Sequence, residues 1–255
     1  MTPWSWVVGG IAVLALFHVL PGLSVAGWAA GIAYLVVSTT VLIVGLARRS
    51  MERLGAANAI TATRSMLVGV VTALTVTSFT QPVPAWLVVA LTVPALMLDA
   101  VDGWVARRTG SVSVLGARFD MEVDAFLLLV LGAFDVRTFG VWVLAIGLMR
   151  YAYVAAGWVA PWLRATVPPR YWRKVVAAIC GIALTLGASG LAPHPAAVVA
   201  IAVALALLVE SFGRDVIWLF RTRAGATAPP PPRPRPAEQP RSAGSIPVPA
   251  RPRSR

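Results

Sequence analysis

Eight apolar runs dominate this chain, at about 4–20, 24–46, 60–79, 84–104, 119–134, 138–157, 174–191 and 195–219. Each is close to the ~20 residues that a helix needs to cross the hydrocarbon core of a bilayer. Pro21-Gly22, Thr80-Gln-Pro-Val-Pro84 and Ala192-Pro-His-Pro195 punctuate them with turn-forming residues. A backbone in lipid must satisfy its own hydrogen bonds, which leaves helices and closed barrels. The runs are too long and too unalternating for barrel strands. Only 13% of the residues are charged and 58% are hydrophobic, against about 25% charged in soluble domains. The expected fold is an all-α polytopic membrane protein with about eight transmembrane helices.

Lys and Arg orient those helices. Arg48, Arg49 and Arg53 follow the second run. Arg107, Arg108 and Arg118 lie between the fourth and fifth, and Arg164, Arg170, Arg173 and Lys174 between the sixth and seventh. Arg214, Arg221 and Arg223 end the eighth. The alternate loops hold almost no positive charge, Arg137 excepted. The positive-inside rule then expects both termini on the cytoplasmic side. The first run lacks a basic flank and a small-residue cleavage site, so it reads as a retained span. Residues 224–255 are Pro-, Ala- and Arg-rich without apolar periodicity, and read as a disordered cytoplasmic tail at anionic lipid headgroups. The net charge of +12 belongs mostly to these loops and the tail, so no nucleic-acid partner is expected. Cys180 lies within a span and has no second cysteine to pair with.

Against this background one grouping stands out. Five of the ten acidic residues fall between Asp99 and Asp124. A charge at the centre of a bilayer helix costs about 2.5–3.5 kcal/mol on insertion scales, so the grouping demands compensation. Asp99 and Asp102 are three apart near the end of one run. Asp120 and Asp124 are four apart near the start of the next. Both spacings put the pair on one helical face, and Gly103, Gly110 and Gly116 between them permit a tight reversal. Two antiparallel helices thus bring four carboxylates to one point near the cytoplasmic interface. Four such anions require countercharge. Oxygen-only donors favour Mg²⁺, Ca²⁺ or Mn²⁺, and two divalent ions would neutralise four aspartates. Paired metals suit in-line displacement at phosphorus, and Arg107 is placed to grip a phosphate. The combination points to a diphosphate substrate. Glu122 falls on another face and reads as a solvated or arginine-paired interface residue.

These residues resemble the signature of the CDP-alcohol phosphatidyltransferase family, Asp-x2-Asp-Gly-x2-Ala-Arg-x8-Gly-x3-Asp-x3-Asp. Asp99, Asp102, Gly103, Ala106, Arg107, Gly116, Asp120 and Asp124 match it with every gap kept. Asn58-x2-Thr61-x2-Arg64 is similar to the family's opening element. The resemblance covers about residues 55–220, which would supply the family's six-helix domain. Residues 1–50 would then be two additional N-terminal helices. It implies a homodimeric integral membrane enzyme of phospholipid synthesis, expected in a bacterial cell membrane with its active site cytoplasmic. Such an enzyme transfers a phosphatidyl group from CDP-diacylglycerol to a small alcohol and releases CMP. By the same resemblance Asp99, Asp102, Asp120 and Asp124 would hold two divalent ions, Mg²⁺ or Mn²⁺. Asp124 would be the general base, and Gly103, Ala106, Arg107 and Gly116 would line the cytidine diphosphate pocket.

The acceptor is less constrained. Arg150 lies well inside the sixth run, where an arginine is a functional candidate or a counter-ion to the acids. With Asn58, Thr61 and Arg64 it is a candidate donor or acceptor contact. If Arg150 and neighbouring cations line the pocket, the acceptor carries a phosphate, as glycerol 3-phosphate or inositol phosphate does. Gly27-x3-Gly31 reads as a helix-packing motif, and Glu210 with Arg214 as a helix-end ion pair. The alternative function is a membrane metal-ion or proton transporter with an aspartate-lined site. Such a site belongs nearer the midplane, commonly between repeated halves. A metal-dependent prenyltransferase would share the aspartates but not the glycine–alanine–arginine interval.

Overall fold

The computed structural model describes residues 22–47, 56–109, 114–165, 167, 168 and 170–223, together with 8, 9, 11, 12 and 15. Most of the run predicted at 4–20, and all of the tail at 224–255, lie outside these residues. So do Arg48, Arg49 and Arg53.

Seven helices make up the described chain: α1 (Val25–Ala47), α2 (Ala56–Ser78), α3 (Ala85–Thr109), α4 (Val114–Phe139), α5 (Leu144–Val159), α6 (Tyr171–Ser189) and α7 (His194–Arg223). No strand occurs among the described residues. Among the described residues, five segments are long and apolar enough to cross a membrane: Val25–Val44, Ile60–Ser78, Val141–Val159, Tyr171–Ser189 and His194–Arg223. Eight were predicted. The run at 4–20 lies mostly outside the described residues, α3 is apolar over Ala85–Asp99, beyond which most of its side chains fall outside the described ones, and α4 carries Arg118, Asp120, Glu122, Asp124, Asp135 and Arg137 among its apolar residues.

Proline and glycine set the connections. Pro82 and Pro84 close the α2–α3 turn, where the amide groups of Thr80 and Gln81 return to the Thr77 carbonyl. Gly140 sits between α4 and the single 3₁₀ turn Val141–Val143 with φ of +94°, a conformation that a Cβ would disfavour. Pro161 opens a second 3₁₀ turn, Pro161–Arg164, after α5.

Helix α2 is the axis of the bundle. Within its apolar window 72% of the residues are buried, against 22–44% in the other four segments. It packs against α1, α3 and α4, while α6 packs against α3, α4 and α7. Small residues let the helices close. A Cβ on Gly27 of α1 would stand 2.6 Å from the Ala73 carbonyl oxygen of α2 and would collide with the Thr77 hydroxyl. Gly27, predicted to be a packing residue, thus docks α1 on α2 within one chain. Buried hydroxyls along the axis bond to carbonyls of their own helix, as Thr72 does to Val68 (2.7 Å) and Ser78 to Thr75 (2.6 Å). Outward-facing positions are apolar, among them Val37, Val93, Ile182 and Val203. That is the surface a bundle presents to lipid.

Candidate metal and diphosphate site

At one end of the bundle the central helix carries an arginine where its neighbours carry acids. Arg64 lies two turns into α2 and its side chain is 1% exposed. Its Nη1 donates to Asp99 Oδ1 of α3 at 2.6 Å. Its Nη2 donates to Asp120 Oδ1 and to the Asp120 carbonyl oxygen (3.3 Å), and reaches Asp124 Oδ1 of α4 at 3.2 Å. A guanidinium is the side chain suited to this task, because its rigid fork serves several carboxylates in one plane.

The acids themselves are half-buried, with Asp99 42% exposed and Asp120 and Asp124 each 32%. The arrangement is therefore a floor and a mouth. Arg64 is sealed beneath, and the carboxylates turn their remaining surface outward. The spacing that the sequence implied accounts for it: four residues separate Asp120 from Asp124, one turn of α4, while Asp99 approaches from the antiparallel α3.

One oxygen from each of Asp99, Asp120 and Asp124 lies within 4.8 Å of the others. Oxygens bound to a common Mg²⁺, Mn²⁺ or Ca²⁺ at about 2.0–2.6 Å are at most roughly 4–5 Å apart, so the spacing fits a divalent ion. The charge fits as well. Three carboxylates converge on the one guanidinium described among them, and such a concentration of anions attracts a cation.

The other sequence candidates are distributed as follows. Asp102, Gly103, Ala106 and Arg107 lie on the last turns of α3 and Asn58 at the start of α2, but their side chains fall outside the described ones. Gly116 is in the first turn of α4. Thr61 is buried one turn before Arg64. Arg150 of α5 forms an ion pair with Glu122 of α4. The nearby cations are engaged too. Arg164 donates from Nε to the Gly157 carbonyl (2.7 Å), and Arg173 pairs with buried Asp215 (3.3 Å) and bonds the Pro168 carbonyl (2.6 Å). Glu210 pairs with Arg214 and accepts from Trp172 Nε1.

Sequence reasoning grouped Arg64 with donor and acceptor contacts and did not foresee it as the counter-ion of three aspartates. The signal was present. An arginine inside an apolar run needs an anion, and the acid cluster was the nearest supply.

A family model described as CDP-alcohol phosphatidyltransferase matches residues 54–210. Neither a curated protein nor a solved structure matched the chain. The match begins just before α2 and runs into α7, and so takes in Arg64 and every aspartate of the cluster. The chain belongs to the CDP-alcohol phosphatidyltransferase family, membrane transferases of phospholipid synthesis that generally use divalent metals.

Proposed function

We propose that this protein transfers a phosphatidyl group from CDP-diacylglycerol to the hydroxyl of a small polar alcohol and releases CMP. The carrying observation is the meeting of Asp99, Asp120 and Asp124, from two helices, over one buried guanidinium. Asp99, Asp102, Asp120 and Asp124 would hold two divalent cations, Mg²⁺ or Mn²⁺. Gly103, Ala106, Arg107 and Gly116 flank the cytidine diphosphate. Residues 55–220 form the catalytic six-helix domain of a homodimer, with residues 1–50 added in front and 224–255 behind. The active site faces the cytoplasm.

When bound, the cations supply positive charge to the attacking and leaving oxygens of the displacement. The rest follows from the chain's own groups. Asp124 accepts the proton of the acceptor hydroxyl. The freed oxygen attacks the phosphorus that bears the lipid, and the bond from that phosphorus to the CMP oxygen breaks with its electron pair. Arg64 keeps the three carboxylates apart yet converged, a fixed charge that need not reorganise as the reaction proceeds. Bound cations together with Arg64 and Arg107 would suit an anionic diphosphate. The acceptor class is a phosphorylated alcohol, glycerol 3-phosphate or inositol phosphate, for which Arg150 would exchange its ion pair with Glu122. Arg150, Asn58 and Thr61 are its candidate contacts.

The full chain in lipid nanodiscs, given CDP-diacylglycerol, Mn²⁺ or Mg²⁺ and a panel of alcohols, is expected to release CMP and form a new lipid with one acceptor. Release that persists in Asp124→Asn would show the base to be misassigned. Consumption of no donor, together with ion flux across proteoliposomes, would replace the transferase by a transporter.

A further inference from the structure

Helix α1 ends at Ala47, before the region that the family model matches begins at residue 54. It nevertheless reaches the site. Tyr34 of α1 accepts a hydrogen bond from the Ser65 hydroxyl at 3.2 Å, and Ser65 is the residue next to Arg64. The Tyr34 ring also stacks on Phe126 of α4, with centroids 4.5 Å apart and planes 15° apart. Phe126 lies two residues beyond Asp124. Tyr34 therefore ties the helix that carries the guanidinium to the helix that carries two of its carboxylates.

The approach is built into the backbone. A Cβ on Gly69 of α2 would stand 3.0 Å from Leu35 Cδ2 and 3.4 Å from Tyr34 Cδ1. Glycine at that level lets α1 lie close enough for the tyrosine to bridge. Gly27 fixes the same helix against α2 nearer the other end, and Ser24 there bonds Thr77 through both its amide and its hydroxyl. Between these two clamps α1 cannot slide or turn without losing one of them. Among the described residues Arg64 is gripped through its two terminal nitrogens, and its Nε has no hydrogen-bond partner. The direction of its guanidinium is thus set by how α2 sits relative to α3 and α4, and the α2–α4 relation is what Tyr34 spans.

We infer that α1 is part of the catalytic unit, with Tyr34 as a positioning residue that holds the Arg64-bearing helix against Asp120 and Asp124. This rests on the transferase reading above. A displacement of one ångström at a reacting centre can cost on the order of 10²-fold in rate, so a bridge between the two helices should be felt in turnover rather than in substrate affinity.

The test uses the full chain in nanodiscs, with CDP-diacylglycerol, Mn²⁺ and a mixture of glycerol 3-phosphate, an inositol phosphate and serine. Tyr34→Phe keeps the stack and removes the hydroxyl, and Ser65→Ala removes the same hydrogen bond from its other end. Each is expected to lower kcat about 2- to 10-fold, the range of one lost hydrogen bond, with KM for the donor unchanged. The double variant should lose no more than either single one, because both remove one interaction. Unchanged kcat in both single variants, losses that multiply in the double, or losses that merely follow the folded fraction would each overturn the inference. A wild type that releases no CMP removes the transferase reading and this inference with it. An active wild type with unaffected variants removes the inference alone.

Discussion

Replacing Arg64 by methionine keeps most of the side-chain length and removes the charge, leaving three carboxylates facing one another. At an effective dielectric of about 20, two like charges 4 Å apart repel by about 4 kcal/mol. Removing one partner of a fully buried pair costs about 3–5 kcal/mol. Asp99, Asp120 and Asp124 keep 32–42% of their side-chain surface, so water screens part of this and the expectation falls to about 2–3 kcal/mol. For a chain of this size that amounts to a melting point lower by about 4–12 °C in EDTA. Mn²⁺ should then stabilise Arg64→Met more than wild type, because it binds only the folded arrangement and meets a larger charge deficit there. Arg64→Lys should recover only part of the loss, since one compact ammonium cannot serve carboxylates on two helices through separate nitrogens. The assay is thermal unfolding in nanodiscs followed by intrinsic tryptophan fluorescence, across an EDTA-to-Mn²⁺ series. A methionine variant that melts with wild type in EDTA and gains no more from Mn²⁺ would refute the counter-ion account.

Three other outcomes are expected. Asp124→Asn should lower CMP release by about 10²- to 10⁴-fold, the usual contribution of a positioned base, while electron paramagnetic resonance still detects bound Mn²⁺. Gly147→Ala should cost about 1–3 kcal/mol, because a Cβ there would meet the Leu129 backbone of α4; a melting point equal to wild type would show that α4 and α5 can part freely. Asp135 is 1% exposed and its Oδ2 has no hydrogen-bond partner, so Asp135→Asn, which removes any buried negative charge at equal size, should unfold at or above the wild-type temperature with CMP release unchanged.

The helices were legible because lipid forces apolar runs of a narrow range of lengths, and Pro and Gly mark their ends. Limits appeared where charge and span overlap. Helix α4 reads as one transmembrane run, yet Arg118, Asp120, Glu122, Asp124, Asp135 and Arg137 leave it short of the apolar length that α6 or α7 reaches. The acid cluster was legible for a different reason. Its residues are close in sequence, so helical spacing alone converges Asp120 with Asp124, and one reversal adds Asp99.

Contacts between sequence-distant residues have no such local signature. Arg64 lies 35 residues from Asp99 and 56 from Asp120, and nothing in the spacing of either motif says that α2 is the helix at the centre. What assigns it there is composition of a subtler kind. Its buried face mixes Thr61, Arg64, Ser65, Thr72, Thr75 and Thr77 with Ala62, Gly69 and Ala73, residues small enough to admit neighbours on several sides and polar enough to be wasted on lipid. The same logic applies to Tyr34. In a lipid-facing helix a tyrosine in mid-span has no use for its hydroxyl, so its presence within the apolar run marks the side of α1 that meets a polar neighbour. A helix outside the family-matched region that spends its one tyrosine on the residue beside Arg64 is better understood as belonging to the site than as a membrane anchor added in front of it.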